Sequence, residues 1–515
     1  MLAYVLPLLA LALVAIGLGA LLADRLMPMH RGKPSTVLPV QPAATELDRW
    51  VAPLLAAQPG RSGAVLLHDG LDAFALRAVS ARSAGRSLDL QYYIWRDDLC
   101  GRLLALEVWR AAERGVRVRM LLDDMNAHGL DRQLLRLDAH PNIEVRLYNP
   151  FRNRAGLRRL VETVVRALRV NHRMHNKAWI ADGRLAVVGG RNIGEAYFGA
   201  AVDSNFRDLD VMLMGPAVAQ AESIFDAFWN DPAAVPVTGL GSVAAAGLHA
   251  LLASLDQQCA DPRVQTYLQR VHAAPGVRDF MAGQVSPCWV EALQVMSDPP
   301  QKWRRDDRAG WLVQRLVALI AGARTEALLI SPYFVPGRRG SAALVQLERQ
   351  GTRVAVVTNS LAANDVPAVH SGYARYRKPL LAGGVRLNEL RAQGKTASAG
   401  LLGSGGASLH TKAVVVDGER GFIGSFNLDP RSADLNTEMG VLFDHAGLAA
   451  AVKAEFQRLA GPALSYGVTL GADGQLVWLD GASEPPRRRR REPDASRARR
   501  LLARVLAWLP IESQL

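Results

Sequence analysis

The residues best suited to chemistry come in two matched sets. His175-Asn-Lys177 is followed by Asp182, Gly189-Gly190 and Asn192, and His410-Thr-Lys412 by Asp417, Gly424-Ser425 and Asn427. In both sets Lys lies at +2 from His, Asp at +7, Gly at +14 and Asn at +17. A single His-x-Lys triplet arises readily by chance; two copies that agree at every one of these positions do not. Together they supply two imidazoles, two ammoniums and two amides, which suits a phosphodiester. The lysines and amides would hold phosphoryl oxygens and stabilise charge in the transition state. One imidazole would attack phosphorus and the other would protonate the leaving alcohol. The candidate catalytic residues are therefore His175, Lys177, Asp182, His410, Lys412 and Asp417. Asn192, Asn427 and Ser425 are candidates for binding the phosphate. The sequence offers no metal-ligand cluster, and no cofactor is expected. Cys100, Cys259 and Cys288 are odd in number and widely spaced, so neither a disulfide framework nor a zinc site is expected.

Both sets need the same scaffold. Lys177 to Val188 reads as a hairpin turning at Asp182-Gly183, and Lys412 to Ile423 as one turning at Asp417-Gly418. Residues i and i+2 share a strand face, so each His points with its Lys. Asp182 and Asp417 sit in the turns, where a structural Asx-turn role competes with catalysis and is favoured by position. Upstream, Ser87 to Trp95 is a strand, followed by a helical pattern and a second strand within Glu113 to Asp124. Glu326 to Phe334, Ser341 to Gln350 and Gly351 to Asn359 repeat that plan. Gly115 lies 60 residues before His175, and Gly351 lies 59 before His410. A repeat that holds phase so far is a duplicated α/β domain with parallel neighbouring strands.

The expected organisation has six parts. Residues 1–23 form a transmembrane helix, since Leu2 to Leu22 carries no charge and 21 residues span a bilayer. Residues 24–59 are a linker, with a Pro-, Ala- and Val-rich stretch from Pro34 to Thr45. Residues 60–235 and 301–475 are the duplicated domains, separated by an insertion, 236–300, with no counterpart. Residues 476–515 are a basic tail ending in an amphipathic helix. Arg25, Arg31 and Lys33 after the span place the catalytic domains in the cytoplasm. The net charge is +13, of which Arg487 to Arg504 contributes +7 (nine Arg against Glu492 and Asp494). Leu501, Leu502, Val505, Leu506 and Leu509 fall at helical spacing with arginines on the other flank, as in a helix lying on an anionic membrane.

The paired motifs resemble the HxKx4Dx6G(G/S)xN signature of the phospholipase D superfamily, over about residues 60–475. The resemblance implies two mixed-sheet α/β domains related by a pseudo-twofold axis and sharing one cleft. It also implies a covalent phosphohistidine on one His and acid/base catalysis by the other. By analogy His175 is the nucleophile and His410 the acid/base. The family orients each His with an acidic residue beyond its own motif. Glu438 fits that role for His410, and Asp208, or alternatively Asp210, fits it for His175. Gly190 departs from the commoner Ser that Ser425 retains. Arg173 to Lys177, Gly189 to Phe198, Thr358 to Ala363, Val369 to Lys378 and Asp429 to Ser432 are similar to the C-type bacterial cardiolipin synthases. That implies an inner-membrane phosphatidyltransferase joining phosphatidylglycerol to phosphatidylethanolamine or a second phosphatidylglycerol. His370 and Tyr373 lie in one of these stretches and read as structural.

The same chemistry with water as acceptor would be a phospholipase D releasing phosphatidic acid, a choice set by pocket shape and water exclusion. A nuclease is disfavoured: the apolar N-terminal stretch argues for lipid, about half of the excess charge is in the tail, and no basic-aromatic stripe for stacking bases is present. Phospholipids and an anionic membrane, with no nucleic acid, are the expected partners.

Overall fold

The computed structural model describes residues 31–240, 261–304, 308–392 and 408–515, except 128, 152, 155–161, 163–170, 282, 283 and 285. Strands are numbered in chain order. The first sheet runs, from edge to edge, β8 (Ala234–Pro236), β4 (Ile143–Tyr148), β3 (Arg117–Asp123), β2 (Ser87–Tyr92), β5 (Ala178–Ala181), β6 (Leu185–Gly189), β7 (Asp210–Met214), β1 (Ser62–Leu67) and β9 (Cys288–Val290). The second runs β10 (Leu293–Ser297), β16 (Met439–Asp444), β15 (Arg420–Gly424), β14 (Ala413–Val416), β11 (Glu326–Ile330), β12 (Arg353–Asn359), β13 (Arg386–Leu390), β17 (Ser465–Leu470), β18 (Leu476–Asp480) and β19 (Arg487–Arg489).

The duplication is visible strand by strand. β2, β3 and β4 are parallel, as are β11, β12 and β13. The motif hairpins β5–β6 and β14–β15 each pair antiparallel to the first of these strands. Helix Leu99–Glu113 links β2 to β3, and Gly337–Arg349 links β11 to β12. Gly115 and Gly351 follow these helices at the same φ of +91°, a left-handed turn that glycine adopts without a Cβ penalty.

Alternation along the motif strands explains why both faces of each sheet are apolar. Ala178 and Ile180, with Ala413 and Val415, enter one core shared by the two sheets. Trp179 and Ala181 face a core belonging to the first half, and Val414 and Val416 one belonging to the second. The shared core fixes the halves against each other.

Three boundary expectations change. β10 pairs with β16 as β1 pairs with β7, so the second repeat starts at Leu293, inside the stretch read as an insertion. The rest of that stretch adds helix Pro262–Ala273 and edge strand β9 to the first half. The linker is laid against the body. Arg119, Arg146 and Arg117 donate to the carbonyls of Ser35, Lys33 and Thr36. It then forms helix Glu46–Ala56, capped by Thr45 and Asp48 and tied by Asp48 to Arg86 and Arg184. A charge-free, Pro-rich composition misses this because the donors come from distant arginines. The tail also belongs to the fold, because β18 and β19 extend the second sheet. The expected span at 1–23 lies outside the described residues; among those described, no helix is long and apolar enough to cross a membrane.

Candidate active site

The parallel strands bring their C-terminal ends to the seam between the halves. Asp123, last in β3, accepts from the Met174 amide at 2.9 Å. Asn359, last in β12, accepts from the Leu409 amide at 2.9 Å and donates back to its carbonyl at 3.0 Å. Each clamps the residue just before a motif His. Asp123 and Asn359 were not among the sequence candidates, yet the repeat marks them: 123 − 115 and 359 − 351 are both 8.

The seam itself is a reciprocal exchange of backbone. The His175 amide donates to Thr437 O and the Thr437 amide to Arg173 O, both at 2.9 Å. The His410 amide donates to Arg207 O at 2.8 Å and the Arg207 amide to Ser408 O at 3.1 Å. Each motif segment thus pairs with the acid-bearing segment of the other half. The carboxylates follow: His175 Nδ1 lies 2.7 Å from Glu438 Oε2, and His410 Nδ1 lies 2.5 Å from Asp208 Oδ2. The expectation that each acid serves its own motif is corrected to a crossed pairing. Asp210, the alternative to Asp208, is bound to Arg77 at 2.8 Å instead. With a carboxylate at Nδ1, each ring carries its proton there and presents the Nε2 lone pair.

Lys177 Nζ donates to the His175 carbonyl at 2.6 Å, and Lys412 Nζ to the His410 carbonyl. Tyr93 stands edge-on to His175 at 4.9 Å, and Tyr197 edge-on to His410 at 5.2 Å. These matched aromatic walls were not singled out from sequence. Asn427 is buried with its Oδ1 unpartnered, open to a substrate donor. Asn192 is not equivalent, since it accepts from the Ile94 amide and donates to the Tyr197 hydroxyl. Ser425, expected on phosphate, donates instead to Glu438 and accepts from the Met439 amide at 2.9 Å. Ser432 adds a second bond to Glu438 at 2.9 Å. Gly190 is glycine for a steric reason: a Cβ there would lie 2.2 Å from Asp208 Oδ1.

Asp182 and Asp417 lie at the far ends of the strands that begin beside Lys177 and Lys412. Asp182 accepts from the amides of Gly85, Arg86 and Ser87, and Asp417 from those of Arg324, Thr325 and Glu326. Both have left-handed φ, 54° and 56°. Their geometry is that of turn anchors, away from the histidines.

Burial, with the nearby lysines, holds His175 down to about 4 against the pull of Glu438. Burial also pushes His410 well below its ordinary value, helped by Lys412, Lys177 and His175. The two half-sites therefore feel each other's charge. Burial lowers Lys177 to about 7, with Lys412 adding to the effect, and lowers Lys412 to about 8. Burial raises Asp208 despite Lys412 and Arg191; for Glu438 burial acts upward too, but His175, Lys177 and Ser425 outweigh it and hold it below the usual range. The result is two neutral imidazoles beside two cations, an arrangement that attracts a phosphodiester anion.

The family model described as cardiolipin synthase, PLD-like domain, matches residues 80–229 and 316–460, one segment around each motif. The chain belongs to this family. Within the PLD-like cardiolipin synthase family it is 40% identical over 466 residues to "Cardiolipin synthase C" of Escherichia coli K12, covering 90% of this chain and 98% of that protein. It is 25% identical over 394 residues to a "Cardiolipin synthase" of Staphylococcus aureus, covering 75% of this chain and 65% of the other. The solved phosphatidylserine synthase of Haemophilus influenzae superposes with a TM-score of 0.57 at 15% identity, over 91% of this chain and 100% of its own, a likeness of fold.

Proposed function

We propose that this chain is a cardiolipin synthase, a phosphatidyltransferase working through a phosphatidyl-histidine. The observation that carries the reading is the crossed pair of His–carboxylate bonds at one seam, in a chain whose relatives are named for that reaction. The entering phosphodiester anion offsets the cations that join burial in keeping His410 neutral in the free enzyme, so His410 takes up a proton from water. His175 Nε2 then attacks the donor phosphorus while His410 gives that proton to the leaving alcohol as the P–O bond breaks. His410, now neutral, takes the proton from a hydroxyl of phosphatidylglycerol. That oxygen attacks phosphorus, His175 leaves, and cardiolipin is formed. Lys177 and Lys412, with the side-chain N–H of Asn427, stabilise the charge spread over the phosphoryl oxygens. Glu438 orients His175 and Asp208 orients His410. The donor is phosphatidylethanolamine or phosphatidylglycerol. The enzyme sits on the inner membrane through residues 1–23, with its catalytic domains in the cytoplasm.

Purified protein with defined lipids tests this by product analysis. Cardiolipin is expected, and its formation should be abolished by His175→Ala and by His410→Ala. If His410→Ala retains a phosphatidyl group from labelled donor, mass spectrometry should place it on His175. Phosphatidic acid as the sole product would make the enzyme a hydrolase, and label on another residue would reverse the roles of the histidines.

A further inference from the structure

The C-terminal helix, Arg497–Leu506, is mounted inside out. Arg499 is turned inward, 4% exposed, and donates to the Asn364 carbonyl, while Ala503 packs beside Leu361 and Ala362. On the outer side Leu501 is 62% exposed, Val505 55% and, just beyond the helix, Trp508 89%. This face is not a frayed end. Arg375 donates to the carbonyls of Ala507 and Leu509, Tyr376 bonds to Glu512, and Leu515 is buried in the second half's core. The fold therefore holds an apolar face rigidly toward the outside, and rimmed apolar patches of this kind mark docking surfaces.

Behind the helix lies an open cavity of about 460 Å³, lined by helices Pro367–Ala374 and Arg377–Ala382, by β18 and by the segment after β19. None of its lining residues belongs to either catalytic motif. Six cations line it: Arg377, Lys378, Arg490, Arg491, Arg500 and Arg504. The one carboxylate, Glu492, is already taken by Arg377 at 2.5 Å and His370 at 3.3 Å. Arg490 has Asp473, but Arg491, Arg500 and Arg504 have no carboxylate partner among the described residues. His370, 1% exposed, keeps Nδ1 without a hydrogen-bond partner. Cations crowded around one neutralised carboxylate repel each other until an anion enters.

We infer that this cavity is a second lipid site, which holds the phosphodiester headgroup of an anionic phospholipid while Leu501, Val505 and Trp508 seat in the same leaflet. The charge selects the occupant: the segment Arg487 to Arg504 carries +7, and an anionic leaflet combines negative headgroups with the apolar layer that the exposed face requires. The helix that backs the site is also linked electrostatically to the catalytic half-site. Asn364, which receives Arg499, adjoins Asp365, whose charge reaches Lys412. The choice of occupant rests on the phospholipid reading proposed above, whereas the docking itself needs no turnover.

The test reconstitutes the full chain into vesicles containing acyl-brominated phosphatidylglycerol or acyl-brominated phosphatidylcholine. Bromine quenches a tryptophan that enters the acyl layer, and Trp508→Phe gives the contribution of the other tryptophans. Trp508 quenching is expected with brominated phosphatidylglycerol in preference to brominated phosphatidylcholine. The preference should disappear in R491E/R500E/R504E, whose folding is checked by its unchanged thermal transition. Equal quenching of wild type and Trp508→Phe by both lipids overturns the docking face. A Trp508 signal that shows no headgroup preference, or a preference that survives charge reversal, overturns the headgroup site. His175→Ala should keep the full quenching pattern, so a protein that docks yet makes no cardiolipin would sink the catalytic reading alone.

Discussion

At the scale of single residues, the protonation states set the pH range over which the proposed chemistry can run. A buried imidazole held down to about 4 is neutral and nucleophilic well below its ordinary value near 6.5. The lysines pull the other way. They act only while charged, and because burial depresses them their charge is lost as pH rises through about 7 for Lys177 and about 8 for Lys412. kcat/KM, which reports the free enzyme, should therefore fall on the alkaline side across pH 7 to 8, far below the range of an exposed lysine. A pH profile with defined lipid measures this, and a plateau reaching pH 10 would contradict it. The same depression has a structural counterpart on the acid side. The unfolded chain binds a proton at His175 near pH 6.5 while the folded chain resists until about 4, so stability drains as pH falls through that window.

At the scale of elements, the hairpins were the most legible feature of the sequence. Asp182-Gly183 and Asp417-Gly418 mark the turns, and alternation along β5 and β14 foretells which residues enter the shared core. The motif Asp residues show where a sequence pattern overstates chemistry, because invariant spacing serves a turn as well as a catalyst. Asp182→Ala should leave three backbone amides without their acceptor and keep φ at 54° without the side-chain bonds that offset its cost. A stability loss of about 3 kcal/mol is expected. Asp182→Asn, which tolerates the left-handed region, should lose about 1 kcal/mol. In both, kcat of the folded fraction should stay near wild type, as read by thermal unfolding alongside turnover. A kcat loss as deep as that of Lys177→Met would return Asp182 to the catalytic set.

At the scale of the whole molecule, the crossed pairing was the part that the sequence concealed. Offsets of 28 residues from His410 to Glu438 and 33 from His175 to Asp208 invite pairing within each half, because a chain records neighbours along itself and not across an axis. What decides the matter is the exchange of backbone at the seam, where His175 meets Thr437 and His410 meets Arg207. The consequence is that neither half alone contains a complete His–carboxylate pair, and that sequence-distant groups are energetically joined. A double-mutant cycle on stability reads this directly. His175→Ala and Glu438→Gln should be non-additive by about 1–3 kcal/mol, since each removes the partner of the other. His410→Ala and Asp208→Asn should couple in the same way. The within-half combinations, His410→Ala with Glu438→Gln and His175→Ala with Asp208→Asn, share no hydrogen bond and should couple distinctly less than the crossed pairs. Coupling in the within-half pairs and additivity in the crossed ones would mean that the two halves do not share their acids. The single cleft would then lose its physical basis, because the seam is what makes two half-sites one.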